Sequence, residues 1–287
     1  MPNWEFPGSD PIDVSVDLAS GRVSLDARPV SATTVEVAPS RFSRNAEKLI
    51  DEVRVTFDHG RLEVAGPRRS GLFRGHGAFD VTITLPEGSH CRARTASADI
   101  SCRGELGELD AHTASGDVTA ATVTGHLQAE TSSGDIRVDE AGPAEIRTAS
   151  GDVRLTQARD DVNVRTASGD VNVASAAGSV TAIAASGDVR VASVARGSTQ
   201  VSTASGDIVV GVNSGVGVYL DLSSATGSVT SQLDETGPSD DVALELRCRS
   251  ASGDIRIIRS AAPQPAAARD SAPAQEAAPA IEPTPAE

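Results

Sequence analysis

Eight aspartates recur at a near-constant interval: Asp99, Asp117, Asp135, Asp152, Asp170, Asp188, Asp207 and Asp254, seven of them closing a Ser-Gly-Asp triplet. A regular row of carboxylates could do two kinds of chemistry. Calcium held on a glycine-rich coil needs an Asp and several turn carbonyls about every nine residues. Here the period is about eighteen, and the half-way turn Ala177–Val180 has no carboxylate. Cleavage of a glycan needs two carboxylates at a defined separation within a substrate groove. The middle of this chain has minimal turns and no aromatic residue between Phe79 and Tyr219 to form a sugar platform. The remaining reading is structural: glycine takes a left-handed turn while Ser and Asp side chains bond neighbouring turn amides. We therefore expect a turn ladder, with no catalytic residue, no metal and no cofactor. Stacked like charges repel. Arg137, Arg154, Arg190 and Arg256 lie two residues after an Asp, on its outward parity, and predict an Asp/Arg strip.

These carboxylates must be positioned by strands. With each Asp as position zero, apolar or small residues fall at −8, −6, −4 and −2 and again at +1 and +3. Around Asp170 these are Val162, Val164, Thr166, Ser168, Val171 and Val173. Period-two alternation on both sides of a turn describes two short strands with one face inward, joined at a corner. Arg22, Arg61 and Ser228 occupy three further positions zero without a carboxylate, so eight plus three gives eleven coils. The expected fold is all-β: a single β-solenoid, right-handed β-helix-like, of about eleven coils, roughly 50 Å long. Residues 1–90 should form an N-terminal cap with the first irregular coils. Residues 91–258 should form the regular solenoid with widened C-terminal coils, and 259–287 a disordered tail.

Open solenoid ends invite pairing with other chains and must be capped. Trp4, Phe6, Phe42, Phe57, Phe73 and Phe79 all fall in the first 79 residues. The same region holds a short helical candidate, Ser43–Glu52, and an alternating strand, FDVTITLPEG. At the other end GVYLDLSS and DVALELRCRS read as longer strands joined by a polar loop. The tail has six prolines in its last 28 residues and too little apolar surface to order itself. The insertion Gly66–Gly77 is the most distinctive exposed stretch. Arg68, Arg69 and Arg74 flank Leu72 and Phe73 there, as a mobile loop or as a contact for an anionic partner or lipid headgroup.

A formal charge of −15 disfavours nucleic acid and anionic membrane surfaces. No stretch approaches the ~20 apolar residues of a membrane span. The opening MPNWEFPGSDPID has neither a basic nor an apolar segment, so a cytoplasmic protein is expected, with envelope association through a partner. The expected partner is another protein, with end-to-end or edge self-association open to the chain. Cys91, Cys102 and Cys248 lie at inward positions as small hydrophobes, with a Cys91–Cys102 bridge across one coil as the alternative. The five histidines have no metal-ligand spacing. The threonines at −4 share the inward parity, which argues for an internal hydroxyl ladder rather than an exposed lattice.

The order of elements resembles a family of bacterial β-strand-repeat proteins of unknown function, adhesin-like and abundant in actinobacteria. The likeness rests on PIDVSVDLASGRVSL, GRLEV with its Gly/Arg-rich loop, FDVTITLPEGS, the Ser-Gly-Asp series and the closing SASGDIRI. It covers about Asp10 to Ile258 and implies a solenoid with no catalytic residues to assign. The function expected is a non-enzymatic scaffold or interaction module. A surface carbohydrate-binding adhesin is the first alternative and a polysaccharide-cleaving β-helix the second.

Overall fold

The computed structural model describes residues 2–40, 49–67, 77–233 and 243–260. Alternation along the chain becomes strand after strand. The N-terminal part forms β1 (Asn3–Pro7), β2 (Asp13–Ala27), β3 (Ala32–Pro39), β4 (Arg54–Asp58), β5 (Arg61–Ala65), β6 (Phe79–Leu85) and β7 (His90–Leu106). The regular region alternates between two parallel sheets. Its first-sheet strands are β8 (Glu108–Thr113), β10 (Leu127–Thr131), β12 (Ala144–Ser150), β14 (Val162–Ser168), β16 (Val180–Ser186) and β18 (Gly197–Ser205). Its second-sheet strands are β9 (Val118–Val123), β11 (Ile136–Ala141), β13 (Val153–Ala158), β15 (Val171–Ala176), β17 (Val189–Val194) and β19 (Ile208–Asn213). The chain closes with β20 (Val218–Ser224), β21 (Val229–Ser231), β22 (Leu244–Ser252) and β23 (Ile255–Ser260). Arg259 and Ser260 thus end a strand, and the stretch assigned to the tail lies outside the described residues from 261 onward.

Each strand pairs in parallel with the strand two places on, so successive coils stack in register. One inward row reads Val16, Ala93, Ala111, Ala129, Ile146, Val164, Ala182, Val201, Cys248 and Leu222. Its members up to Cys248 are buried. Small β-branched side chains suit a slot only two side chains deep, and burying each Val, Leu or Ile contributes about 1.5–3 kcal/mol. A further inward row follows the corner at +6, formed by Val123, Ala141, Ala158, Ala176 and Val194. The serines at −2 differ from expectation: Ser115, Ser150, Ser168 and Ser186 are exposed. The corner starts one residue earlier than strict alternation implies, so the inward parity stops at the threonine.

The ends depart from chain order. β2 and β7 each bend through a corner, contribute to both sheets, and pair along their length from Asp13↔His90 to Asp26↔Arg103. The Arg22 coil therefore stacks directly on the Asp99 coil. The predicted Arg61 coil is not a coil. His59 (φ 47°) and Gly60 (φ 76°) form a two-residue left-handed turn, and β4 folds back antiparallel on β5. Alternation is common to a hairpin and a solenoid corner; the turn decides between them. Eleven positions minus this one leaves ten coils among the described residues. The hairpin extends the first sheet beyond β2, while β6, β3 and β1 extend the second. Across this end Phe6 of β1 stacks on Phe57 of β4, with ring centroids 4.8 Å apart.

At the other end β22 and β23 lie between β18/β19 and β20/β21. The coil around Ser228 comes earlier in sequence than the coil around Asp254 but is the outermost in space. Of the helical candidate, Ile50–Glu52 form a 3-10 turn and residues 43–48 lie outside the described ones, as does the polar loop at 236–240.

Candidate functional site

Each Ser-Gly-Asp corner sits against the corner of the coil before it. A Cβ built on Gly134 would stand 1.9 Å from the carbonyl oxygen of Gly116, and one on Gly187 would stand 2.2 Å from that of Gly169. No side chain fits there. The close approach brings each Asp carboxylate onto the backbone of the next coil. Asp99 Oδ1 accepts the N–H of Asp117 at 3.2 Å, and the relation repeats along Asp117, Asp135, Asp152, Asp170, Asp188 and Asp207. Ser228 donates the last N–H, to Asp254 Oδ1 at 3.0 Å. That bond, together with the side chains of Ser228 and Arg256, holds the Asp254 carboxyl below its usual range.

The ladder is directional, and this explains where its carboxylates stop. Ser228 lies on the outermost coil and has only to donate, so it needs no acceptor side chain. Arg22, on the first coil, brings its guanidinium 3.7 Å from Asp99 Oδ2 and balances the first charge of the row. Of the four arginines at +2, Arg137 reaches Asp135 Oδ2 at 2.7 Å and Arg256 reaches Asp254 Oδ2 at 2.9 Å and Asp207 at 3.5 Å. Arg154 and Arg190 make no ion pair among the described residues. The strip is thus a set of pairs near its two ends, with Arg137↔Arg154 as like-charged neighbours.

Of the threonines at −4, Thr95, Thr113, Thr131, Thr148 and Thr203 bond backbone, whereas the buried Thr166 Oγ1 has no partner. Thr131 Oγ1 accepts the N–H of Gly134 at 3.0 Å and donates to Gly116 O at 3.3 Å, and Thr113 and Gly116 repeat the motif. Cys91, Cys102 and Cys248 are buried free thiols. Burial pushes Cys102 and Cys248 up to about 12 and raises Cys91 well above the usual thiol value, with Cys102 and Asp13 adding to the effect at Cys91. A thiol held protonated is a poor nucleophile.

Sequence reasoning missed a set of polar residues on the outer face of the first sheet, because only the stacking register makes them neighbours. Arg61, Asp13, His90 and Glu108 form one row, and Glu63, Ser15, Arg92 and Asp110 the next. They line a shallow groove of about 360 Å³. Arg92 Nε is 2.7 Å from Asp110 Oδ2, and His112 Nε2 is 2.6 Å from Asp110 Oδ1. Two further clefts share Glu63 with it, so relief gathers at the β4–β5 hairpin. Among the described residues no three His, Cys, Asp or Glu side chains are grouped to hold a metal ion. No described helix is long and apolar enough to cross a membrane. Arg68, Arg69, Leu72, Phe73 and Arg74 lie outside the described residues.

An all-β solenoid whose repeated polar residues bond its own backbone defines a repeat scaffold. The chain belongs to the Toastrack DUF4097 family, whose model matches residues 15–261. A candidate adhesin from Bacteroides fragilis is similar in structure at 12% identity, covering 90% of this chain and 96% of that one with a TM-score of 0.42. A candidate lipid-binding protein from Parabacteroides distasonis gives 15% identity, the same two coverages and a TM-score of 0.49. No protein of curated function matches the sequence.

Proposed function

We propose that this protein is a non-enzymatic scaffold that binds another protein through the irregular ends of its solenoid, and that the partner links it to the cell envelope. The observation behind this reading is the fate of the carboxylates. Every Asp of the column has Oδ1 on the amide of the next coil, which commits to stacking the groups that hydrolysis or ion binding would require. Clefts and unlike charges gather around Asp13, Arg61, Glu63, Arg92 and Asp110. Mixed charge in shallow relief suits a protein surface better than a small apolar ligand.

The test is crosslinking capture from the native cell, with the full chain and with the variant Arg61→Ala/Arg92→Ala. A specific protein retained by the first and reduced by the second supports the proposal. Recovery of the chain at the cell surface with glycan binding and no protein partner would establish the adhesin alternative. Turnover of an acidic polysaccharide that Asp152→Asn abolishes would establish the enzymatic one.

A further inference from the structure

The two ends of the stack treat their unpaired edges differently. Edges are kept from pairing by charge and by proline. At the N-terminal end β1 carries Glu5 and Pro7, β4 carries Arg54 and Asp58, and the stacked Phe6 and Phe57 close the end. At the C-terminal end the edges, among the described residues, are β20 and β21. Between Val218 and Ser231 the one charged residue is Asp221, which Arg249 of β22 already pairs at 3.5 Å. Val218, Leu220 and Leu222 occupy the inward rows of Leu244, Leu246 and Cys248 yet are only partly buried. Val229, in the row of the buried Ile255, is 45% exposed.

The backbone is directed the same way. In a parallel ladder a residue turns both its N–H and its C=O to one neighbour, and the next residue turns its pair to the other side. Gly217 accepts from Leu244 N–H and Ala225 donates to Ser250, so Val218, Leu220 and Leu222 direct their groups out of the stack. Ser228 accepts from Ile255 and Gln232 donates to Ile257, which leaves Val229 and Ser231 directed outward too.

We infer that this end docks on the same end of a second copy, β20 on β20 and β21 on β21, antiparallel about one twofold axis perpendicular to both sheets. The inference rests on the interaction-module reading and names one of its partners. The two sheets lie face to face, so a single axis satisfies both edges and brings the apolar rows of the two copies into one continuous core. One foreign strand would cover only one edge. Charge permits the contact: registers centred on Leu220 or Leu222 set Asp221 opposite Tyr219 or Ser223 of the second copy, never opposite Asp221. The chain's own last residues, 261–287, fit poorly, because they contain six prolines and a single large apolar residue, Ile281.

The experiment is sedimentation velocity on the full chain from about 1 to about 100 µM at about 0.15 M salt and above, where the repulsion of two −15 chains is screened. A dimer that grows with concentration and salt is expected. Leu222→Pro removes an outward N–H and leaves the β22 bonds intact, and Val229→Lys charges the other edge. Each should weaken the dimer at least ~tenfold while circular dichroism is unchanged. If Leu222→Pro unfolds, Val229→Lys decides alone. Thr56→Lys on β4 should have no effect. A monomer at every concentration overturns the inference, as does a dimer that Val229→Lys leaves intact or that Thr56→Lys weakens. The readout needs only the purified chain, so its failure is distinguishable from failure to capture a partner in the cell.

Discussion

In the coil around Asp188 and in the hairpin around Gly60 the same residue type does two different jobs. Gly187 has φ 131° and a carbonyl oxygen 2.2 Å from where a Cβ would be, because the corner of the coil below presses against it. Gly60 has φ 76° and nothing within 4 Å, because its turn projects into solvent. One glycine is required by its neighbours and the other by its own backbone. The difference generalises: in the middle of the stack a residue answers to the coils on either side, and at the ends to local turn chemistry and capping.

The largest effect should separate these two cases. Gly187→Ala must relieve both a backbone clash and a left-handed strain, and should cost about 3 kcal/mol or more. Gly60→Ala carries the left-handed term alone, about 1 kcal/mol. Urea unfolding of both variants measures the difference, and equal losses would mean that the central corners can relax apart. Next comes the N-terminal closure. Phe57→Ala removes the ring stacked on Phe6 and opens the β1/β4 end, for an expected loss of about 2 kcal/mol in the same assay. Leu220→Ala, at the partly open other end, should cost less in the monomer.

The middle of the stack was legible in the sequence because one constraint repeats there. Val162, Val164, Val171 and Val173 give the inward rows directly, and the glycine column marks the corners. The ends were less legible for identifiable reasons. Val53, Val55, Phe57, Leu62 and Val64 satisfy the coil offsets as well as a hairpin does, and only the His59–Gly60 turn distinguishes them. The order of the last two coils was hidden because Leu220 and Leu222 fill the same rows as Leu246 and Cys248. One signal was available: the last rung of a donor-to-acceptor ladder needs no acceptor because no coil follows it, and Ser228 is that rung. The outer-face groove had no signal in any local window, since Asp13, Arg61, His90 and Asp110 meet only through register.

Removing one carboxylate tests whether the ladder is shared along the stack or anchored at its ends. Asp170→Ala leaves the N–H of Asp188 without its acceptor and should cost about 1 kcal/mol; Asp170→Asn keeps an acceptor oxygen and should cost less. At the C-terminal rung the folded carboxyl of Asp254 lies below its unfolded value, so its contribution is complete above the ordinary carboxylate range and is lost as pH falls through the lowered folded value. Melting temperature followed from pH 6 downward should therefore fall less steeply in Asp254→Asn than in the parent; parallel curves would show that this rung does not couple to folding.

The smallest effect concerns the arginines, and it sharpens the contrast by splitting a single row. Arg137 pairs with Asp135 at 2.7 Å, whereas Arg154, its neighbour on the next coil, pairs with no carboxylate among the described residues. Exposed pairs are worth about 0–1 kcal/mol and are screened by salt. Arg137→Gln should thus lower the melting temperature slightly, and mainly at low ionic strength. Arg154→Gln removes a like charge beside Arg137 and should leave stability unchanged or raise it. Equal losses from both would mean that the row acts through the summed field of its charges rather than through individual pairs, and the middle and ends of the strip would then be electrostatically alike.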